Sequence, residues 1–158
     1  MSREAEVWSP VLGYEGMYSV SSQGRVRGEE RHVRSRYGNL RIQYARVLKP
    51  RIGHNGYPRV ELKADGKTSC RHVHTLVLEA FVGPRPDHAV ARHLDGNKLN
   101  SVLHNLCWGT RAENGADMVK HGGSTKGERN PFSKLTDSDV LAIRKDDRSA
   151  VAIARDYN

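Results

Sequence analysis

Apolar positions change their spacing along this chain, and each change marks a different kind of element. From residue 8 to 28, β-prone runs at 17–20 and 25–27 alternate with turns at Gly13, Gly16 and Gly24, where positive φ is called for. Val47–Pro50 suggests another hairpin, and Asn55-Gly56 and Asp65-Gly66 within "GHNGYPRVELKADGKTSCRHV" are strong turn dipeptides. The first segment therefore reads as a small, mostly antiparallel sheet. Next, "HVHTLVLEAFVG" starts as a strand and becomes an apolar helix over about 74–81, stopped by Gly83-Pro84. A strand at 90–94, a turn-rich loop at 95–105, a second strand at 106–109 and a helix at 111–120 ending at Gly122-Gly123 make a β–loop–β–α unit. His93 lies near the end of its first strand.

Beyond that unit, "GGSTKGERNPF" has the composition of a linker. Thr136 with Asp139 three residues on forms a capping box ahead of Val140, Leu141 and Ile143, and "SAVAIARDYN" supplies a second helix. Two short helices joined this way open a helix-turn-helix, with the recognition helix still to come at Asn158, as in a truncated chain. The pattern sums to an α+β class: a small N-terminal antiparallel sheet, a ββα unit and a short helical appendage. The corresponding segments are 1–69, 70–122, a linker at 123–133, and 134–158.

Charge sharpens this division. The 158 residues hold 26 Lys+Arg and 18 Asp+Glu, a formal net charge of +8, which points to a polyanionic partner and first to nucleic acid. Residues 1–69 carry 13 basic and 7 acidic side chains, net +6, so most of the excess belongs to the first segment. Arg25, Arg27, Arg31, Arg34, Arg36, Arg41, Arg46, Lys49 and Arg51 sit there among apolar residues, as on short strands displaying guanidinium groups to phosphates. Histidine is distributed oppositely: six of the eight, His72, His74, His88, His93, His104 and His121, fall in 70–122. One segment looks built to hold phosphates and the other to do chemistry.

Two cysteines, Cys70 and Cys107, exclude a zinc finger built on paired thiolates and make a disulfide framework a poor reading. The N-terminus lacks the apolar region of a signal peptide, and no run has the length of a membrane span. The expectation is an intracellular, cytoplasmic protein of a phage or bacterial host, without membrane partner or small-molecule substrate, and monomeric by preference.

Phosphodiester hydrolysis needs a base for water and a cation for the crowded phosphate. A neutral imidazole can be the base near pH 7, and a carboxamide oxygen suits Mg2+. His93 on a strand, facing Asn114 on the following helix, could supply both. Asn105, just ahead of the second strand, can bond loop carbonyls and hold the His-bearing segment in register.

The stretch "ARHLDGNKLNSVLHNLCWGTRAEN" at 91–114 resembles the HNH motif of phage and intron-encoded homing endonucleases. The preceding "VHTLVLEAF" is similar to the run that leads into that motif, and "WSPVLGYEGMYSVSSQGRVR" at 8–27 resembles the N-terminal DNA-binding module, of NUMOD type, that such enzymes carry. The resemblance covers most of 7–122, in the same module order. It implies His93 as general base, Asn105 as the central structural Asn and Asn114 as the metal-contacting residue. It also implies a ββα-metal fold over 90–120, His74 near the site, a divalent cation (Mg2+ or Mn2+) and double-stranded DNA as substrate.

One position departs from the family. Several relatives carry a cation-binding Asp just before the base, where this chain has Arg92. Three readings stay open: Asn114 holds the metal with another ligand such as Asp117, Arg92 turns outward to grip a phosphate, or the enzyme is weak. Arg92 as a phosphate clamp is the preferred one. Lys98, beside the Asp95-Gly96-Asn97 loop, is available to DNA. A different class competes, namely a sequence-specific DNA-binding repressor on an inactive nuclease scaffold. A basic RNA-binding protein accounts for the charge but not for the ordered His and Asn.

Overall fold

In the computed structural model, residues 5–35, 37–123, 127 and 130–157 are described; residues 1–4, Arg36, linker residues 124–126, 128 and 129, and Asn158 lie outside them. Nine strands come first: β1 (Trp8–Pro10), β2 (Tyr18–Ser21), β3 (Val26–Gly28), β4 (Arg31–Arg34), β5 (Leu40–Gln43), β6 (Arg46–Val47), β7 (Arg51–Ile52), β8 (Pro58–Ala64) and β9 (Lys67–His72). Helix α1 (Val73–Phe81), strand β10 (Val90–His93), a single 3-10 turn at Leu103–Asn105, strand β11 (Leu106–Gly109) and helix α2 (Arg111–Lys120) follow. The sheets are antiparallel throughout, in the orders β1-β2-β3-β6, β4-β5, β7-β8-β9 and β10-β11.

Each element follows from its residues. Strand β8 alternates inward Pro58, Val60 and Leu62 with outward Arg59, Glu61 and Lys63, the period-2 signature of a sheet with one wet face. In β2 all four residues are buried, and the Tyr18 hydroxyl accepts from the Lys63 N–H at 3.0 Å, tying the first sheet to β8. Helix α1 sinks Val73, His74, Leu76, Val77 and Leu78. It ends where Gly83, at φ +122°, returns its N–H to the Leu78 carbonyl at 3.0 Å. Helix α2 starts from a capping box the pattern had not revealed: Glu113 accepts from the Thr110 N–H at 2.7 Å, and Thr110 Oγ1 accepts from the Glu113 N–H at 3.2 Å.

The core joins Val11, Val20 and Val26 to Leu62, Leu76, Val77, Leu78 and Leu106. The first segment and the ββα strands therefore share one apolar interior. A close backbone approach reinforces this: Gly24, at φ +77°, would place a Cβ 2.7 Å from the Ser101 carbonyl oxygen, and the Leu103 N–H reaches the Ser22 carbonyl at 2.8 Å. The β2–β3 turn is thereby seated on the loop that follows His93.

Compact units run from Met1 to Asp117 and from Met118 to Asn158. Within the second, α3 (Asp137–Lys145) opens on Thr136 with the complete capping box, and α4 (Ala150–Asp156) opens on Ser149. Arg148 ties their joint, donating to Asp146 at 2.7 Å and Asp156 at 2.8 Å. Among the described residues no helix is long and apolar enough to cross a membrane. The architecture is α+β, small antiparallel sheets with short helices, as the pattern predicts.

Candidate active site

His93 ends β10 opposite Leu106, and ladder geometry puts its side chain on the same face as Ala91 and Trp108. That face packs against α1, which carries His74. The two imidazoles are both 7% exposed, and their rings meet edge-on with centroids 5.0 Å apart. His93 Nε2 and His74 Nδ1 are buried without a hydrogen-bond partner. Burial, assisted by the charges of His93 and His72, pushes His74 down to about 3. Burial likewise lowers His93, against a smaller upward pull from Asp95 and with a further downward push from Lys98. Both rings are neutral at pH 7, the form a general base requires.

Two more rings complete the cluster. His72 stacks on His74 at 5.3 Å, and Tyr57, from the turn before β8, lies 4.9 Å from His74 and 5.6 Å from His93. A groove of about 300 Å³ opens beside them, lined by Asn55, Tyr57, His72, His74, Arg85 and Asn114 among others. Asn114 is thus brought from α2 to the mouth of the imidazole cluster. Tyr57, His72 and Arg85 carry no role in the sequence pattern. The only signal for Tyr57 is its place after the Asn55-Gly56 turn.

Asn105 is 5% exposed and its amide is saturated. Oδ1 accepts from the Asp95 N–H at 2.9 Å, while Nδ2 donates to Asp95 Oδ1 and to the Asn100 carbonyl, each at 2.9 Å. Its own carbonyl accepts from the Leu94 N–H at 2.9 Å. The loop after His93 is therefore closed around this one carboxamide. Asp95 also accepts from Asn100 Nδ2 at 2.7 Å, and this bond leads the effects that hold its carboxyl below the usual range. Lys98, from the same loop, donates to the Asn55 carbonyl at 3.2 Å and sits 5.0 Å above the Tyr57 ring.

Arg92 points to the other face of the hairpin. Its Nε donates to Asp117 at 2.8 Å, its Nη1 lies 3.3 Å from Glu113, and its side chain is 16% exposed. Gly109 makes room, since a Cβ there would meet Arg92 Cδ at 2.5 Å. The sequence reading favours Arg92 as a phosphate clamp and offers Asp117 as a ligand beside Asn114. In this structure Arg92 lies between two carboxylates of α2, and Asp117 is one of them. Helix α2 buries no residue, so these ion pairs are a main tie between it and the hairpin.

A resident cation at Asn114 and Asp117 does not fit this donor set. Mg2+ or Mn2+ takes carboxylate oxygens in preference, and the nearby carboxylates hold a guanidinium, which repels a second cation. Among the described residues no group of three or more His, Cys, Asp or Glu side chains is arranged to hold a metal.

The arginines named for phosphate contact are largely engaged within the chain. Arg25 pairs with Glu6, Arg27 bonds Glu29 at 2.9 Å and stacks 4.3 Å over Trp8, Arg31 donates to the Met17 carbonyl at 2.8 Å, and Arg34 reaches the Gly38 carbonyl at 3.3 Å. A more open basic surface lies along β7 and β8, where a groove of about 550 Å³ is lined by Arg46, Lys49, Arg51 and Arg59 together with Glu61.

Comparison with known proteins matches both parts of the first unit. Residues 6–63 match the NUMOD4 motif and residues 71–116 match the HNH endonuclease model. DNA endonuclease I-HmuI of Bacillus phage SP01 is 29% identical over 136 residues, spanning 86% of this chain and 71% of that protein. Protein 7.7 of Escherichia phage T7 is 37% identical over 93 residues, 59% of this chain and 68% of that protein. The solved structure of I-HmuI, described as an HNH homing endonuclease in DNA binding and cleavage, superposes with a TM-score of 0.59 at 30% identity, covering 88% of this chain and 66% of that one. With these matches running through both modules in the same order, the chain belongs to the HNH endonuclease family, in the homing-endonuclease form that carries a NUMOD4 motif.

Proposed function

We propose that this protein hydrolyses phosphodiester bonds of double-stranded DNA, with His93 as the general base. One observation carries the reading: the neutral, buried His93 imidazole packs edge-on against His74, which lines a groove together with Arg85 and Asn114. Water adds to phosphorus, its proton passes to the His93 imidazole, the bond to the 3′ oxygen breaks, and solvent protonates the leaving oxygen. Asn105 closes the loop behind the base. Arg85 lines the groove and Lys98 lies over the Tyr57 ring, and both offer cations to the scissile phosphate, while Arg46, Lys49, Arg51 and Arg59 bind the flanking backbone. Arg25, Arg27, Arg31 and Arg34 keep a supporting part in that surface, by shaping it more than by touching DNA.

HNH nucleases generally depend on a divalent metal. Among the described residues the side chains supply no carboxylate cage for one, so the choice between Mg2+ and Mn2+ belongs to the assay. The full chain is incubated with supercoiled plasmid in Mg2+, in Mn2+ and in a chelator, and the ends are mapped. Nicked circles that disappear with His93→Ala support the enzyme, and one site per chain predicts nicks in single strands. The pairing of Arg92 with Asp117 favours one competing reading, a DNA-binding protein that does not cut. Retention of plasmid in a gel, uncut under all three conditions, would establish that reading instead.

A further inference from the structure

We propose that Tyr57, contributed by the N-terminal module, is a positioning residue for His93: its ring shields one side of the imidazole from bulk water and fixes its plane. The inference rests on His93 being the base. Tyr57 lies within the NUMOD4 match and His93 within the HNH match, so the catalytic ring is framed from outside its own module.

Local structure makes Tyr57 a stiff wall. Its N–H reaches Asn55 Oδ1 at 3.4 Å, and its carbonyl accepts from the Gly53 N–H at 2.9 Å across a turn whose Gly56 has φ +83°. Pro58 follows and restricts the backbone further. The ring so presented contacts His74 at 4.9 Å, His93 at 5.6 Å and His72 at 5.9 Å, while Lys98 caps it at 5.0 Å and bonds the Asn55 carbonyl. With no hydrogen bond to Nε2, ring packing is what orients that side of the base. Opening the wall would hydrate the imidazole and let it protonate more easily. The groups facing His93 are His74 from α1, Asp95 and Lys98 from the following loop, and Tyr57; His72 at the end of β9 acts through His74.

The test follows the His93 imidazole by NMR titration of the full chain, the signal being assigned by its loss in His93→Ala, alongside the pH profile of nicking. Tyr57→Phe keeps the ring and should reproduce the wild-type midpoint. Tyr57→Leu should raise the midpoint toward the ordinary value near 6.5 and carry the acid limb of the rate profile up with it. Tyr57→Met, which keeps apolar bulk, stands in if the leucine variant loses its circular dichroism. An unchanged midpoint in the ring-less variant overturns the proposal, as does Tyr57→Phe shifting as far as Tyr57→Leu. Absence of nicking by wild type would sink the nuclease reading alone, because the titration still reports whether the ring shields His93.

Discussion

The rings of His93 and His74 meet edge-on with centroids 5.0 Å apart, one at the end of β10 and the other in the first turn of α1. Two bases this close, each buried, cannot both be charged at modest cost. The fold therefore keeps them neutral, and that neutrality has consequences for stability as well as chemistry.

Folding should weaken in mild acid. The folded pKa of His74, about 3, lies below its ordinary 6.5, so the neutral form favours folding fully above pH 6.5 and stability is lost as pH falls from there toward 3. His93 is lowered in the same sense. Each imidazole costs up to about 1.4 kcal/mol per pH unit in that window. Thermal melts from about pH 7.5 down to about pH 5 should show a falling Tm, with a shallower slope in His74→Gln. A Tm that ignores pH there would contradict neutral burial.

Asn105→Ala removes a carboxamide that accepts from the Asp95 N–H and donates to Asp95 and the Asn100 carbonyl. Leaving these groups unpaired should cost about 2–3 kcal/mol. Nicking should fall further than stability does, since the loop behind His93 loses its register. Chemical denaturation and plasmid assays on the same preparation separate the two effects. A stable protein with full activity would leave Asn105 without the part assigned to it.

Arg92 should behave as a structural cation. Arg92→Ala leaves Asp117 and Glu113 facing each other, a loss on the order of 1–3 kcal/mol, and Asp117→Asn should partly rescue it in a double-mutant cycle. The salt dependence of DNA binding should keep its slope, because the guanidinium is spent inside the protein. A slope reduced by about one phosphate contact would return Arg92 to the role of clamp.

Gly24 should tolerate no side chain. At φ +77°, with the Ser101 carbonyl oxygen 2.7 Å from the virtual Cβ, Gly24→Ala combines backbone strain with a backbone clash. Gly13, at the same φ but with nothing within 4 Å, isolates the strain alone. Urea titrations should place Gly13→Ala about 1 kcal/mol below wild type and Gly24→Ala clearly lower. Equal losses would mean that the β2–β3 turn and the loop after His93 yield without resistance.

Local chemistry made much of the fold legible. The turns at Asn55-Gly56 and Asp65-Gly66, the helix stop at Gly83-Pro84 and the Thr136–Asp139 box are short-range rules that depend on neighbours within a few residues, and each appears where the pattern placed it. His93, Asn105 and Asn114 could be singled out for the same reason, since their order along the chain is a motif. The pairing of Arg92 with Asp117 was not legible, because residue type alone does not say which charges will meet. The guanidinium meets carboxylates carried by the following helix.

By itself, then, the amino-acid order determined the β–loop–β–α succession, the basic character of the first segment and the family pattern, because these rest on local geometry and net charge. Tertiary structure alone decided which groups stand face to face. It set Tyr57 against His93, spent Arg92 on Asp117 and sealed the two modules over one apolar interior. Those outcomes depend on side-chain packing between residues far apart in the chain, where burial and mutual distance fix both the charge state and the reach of each group.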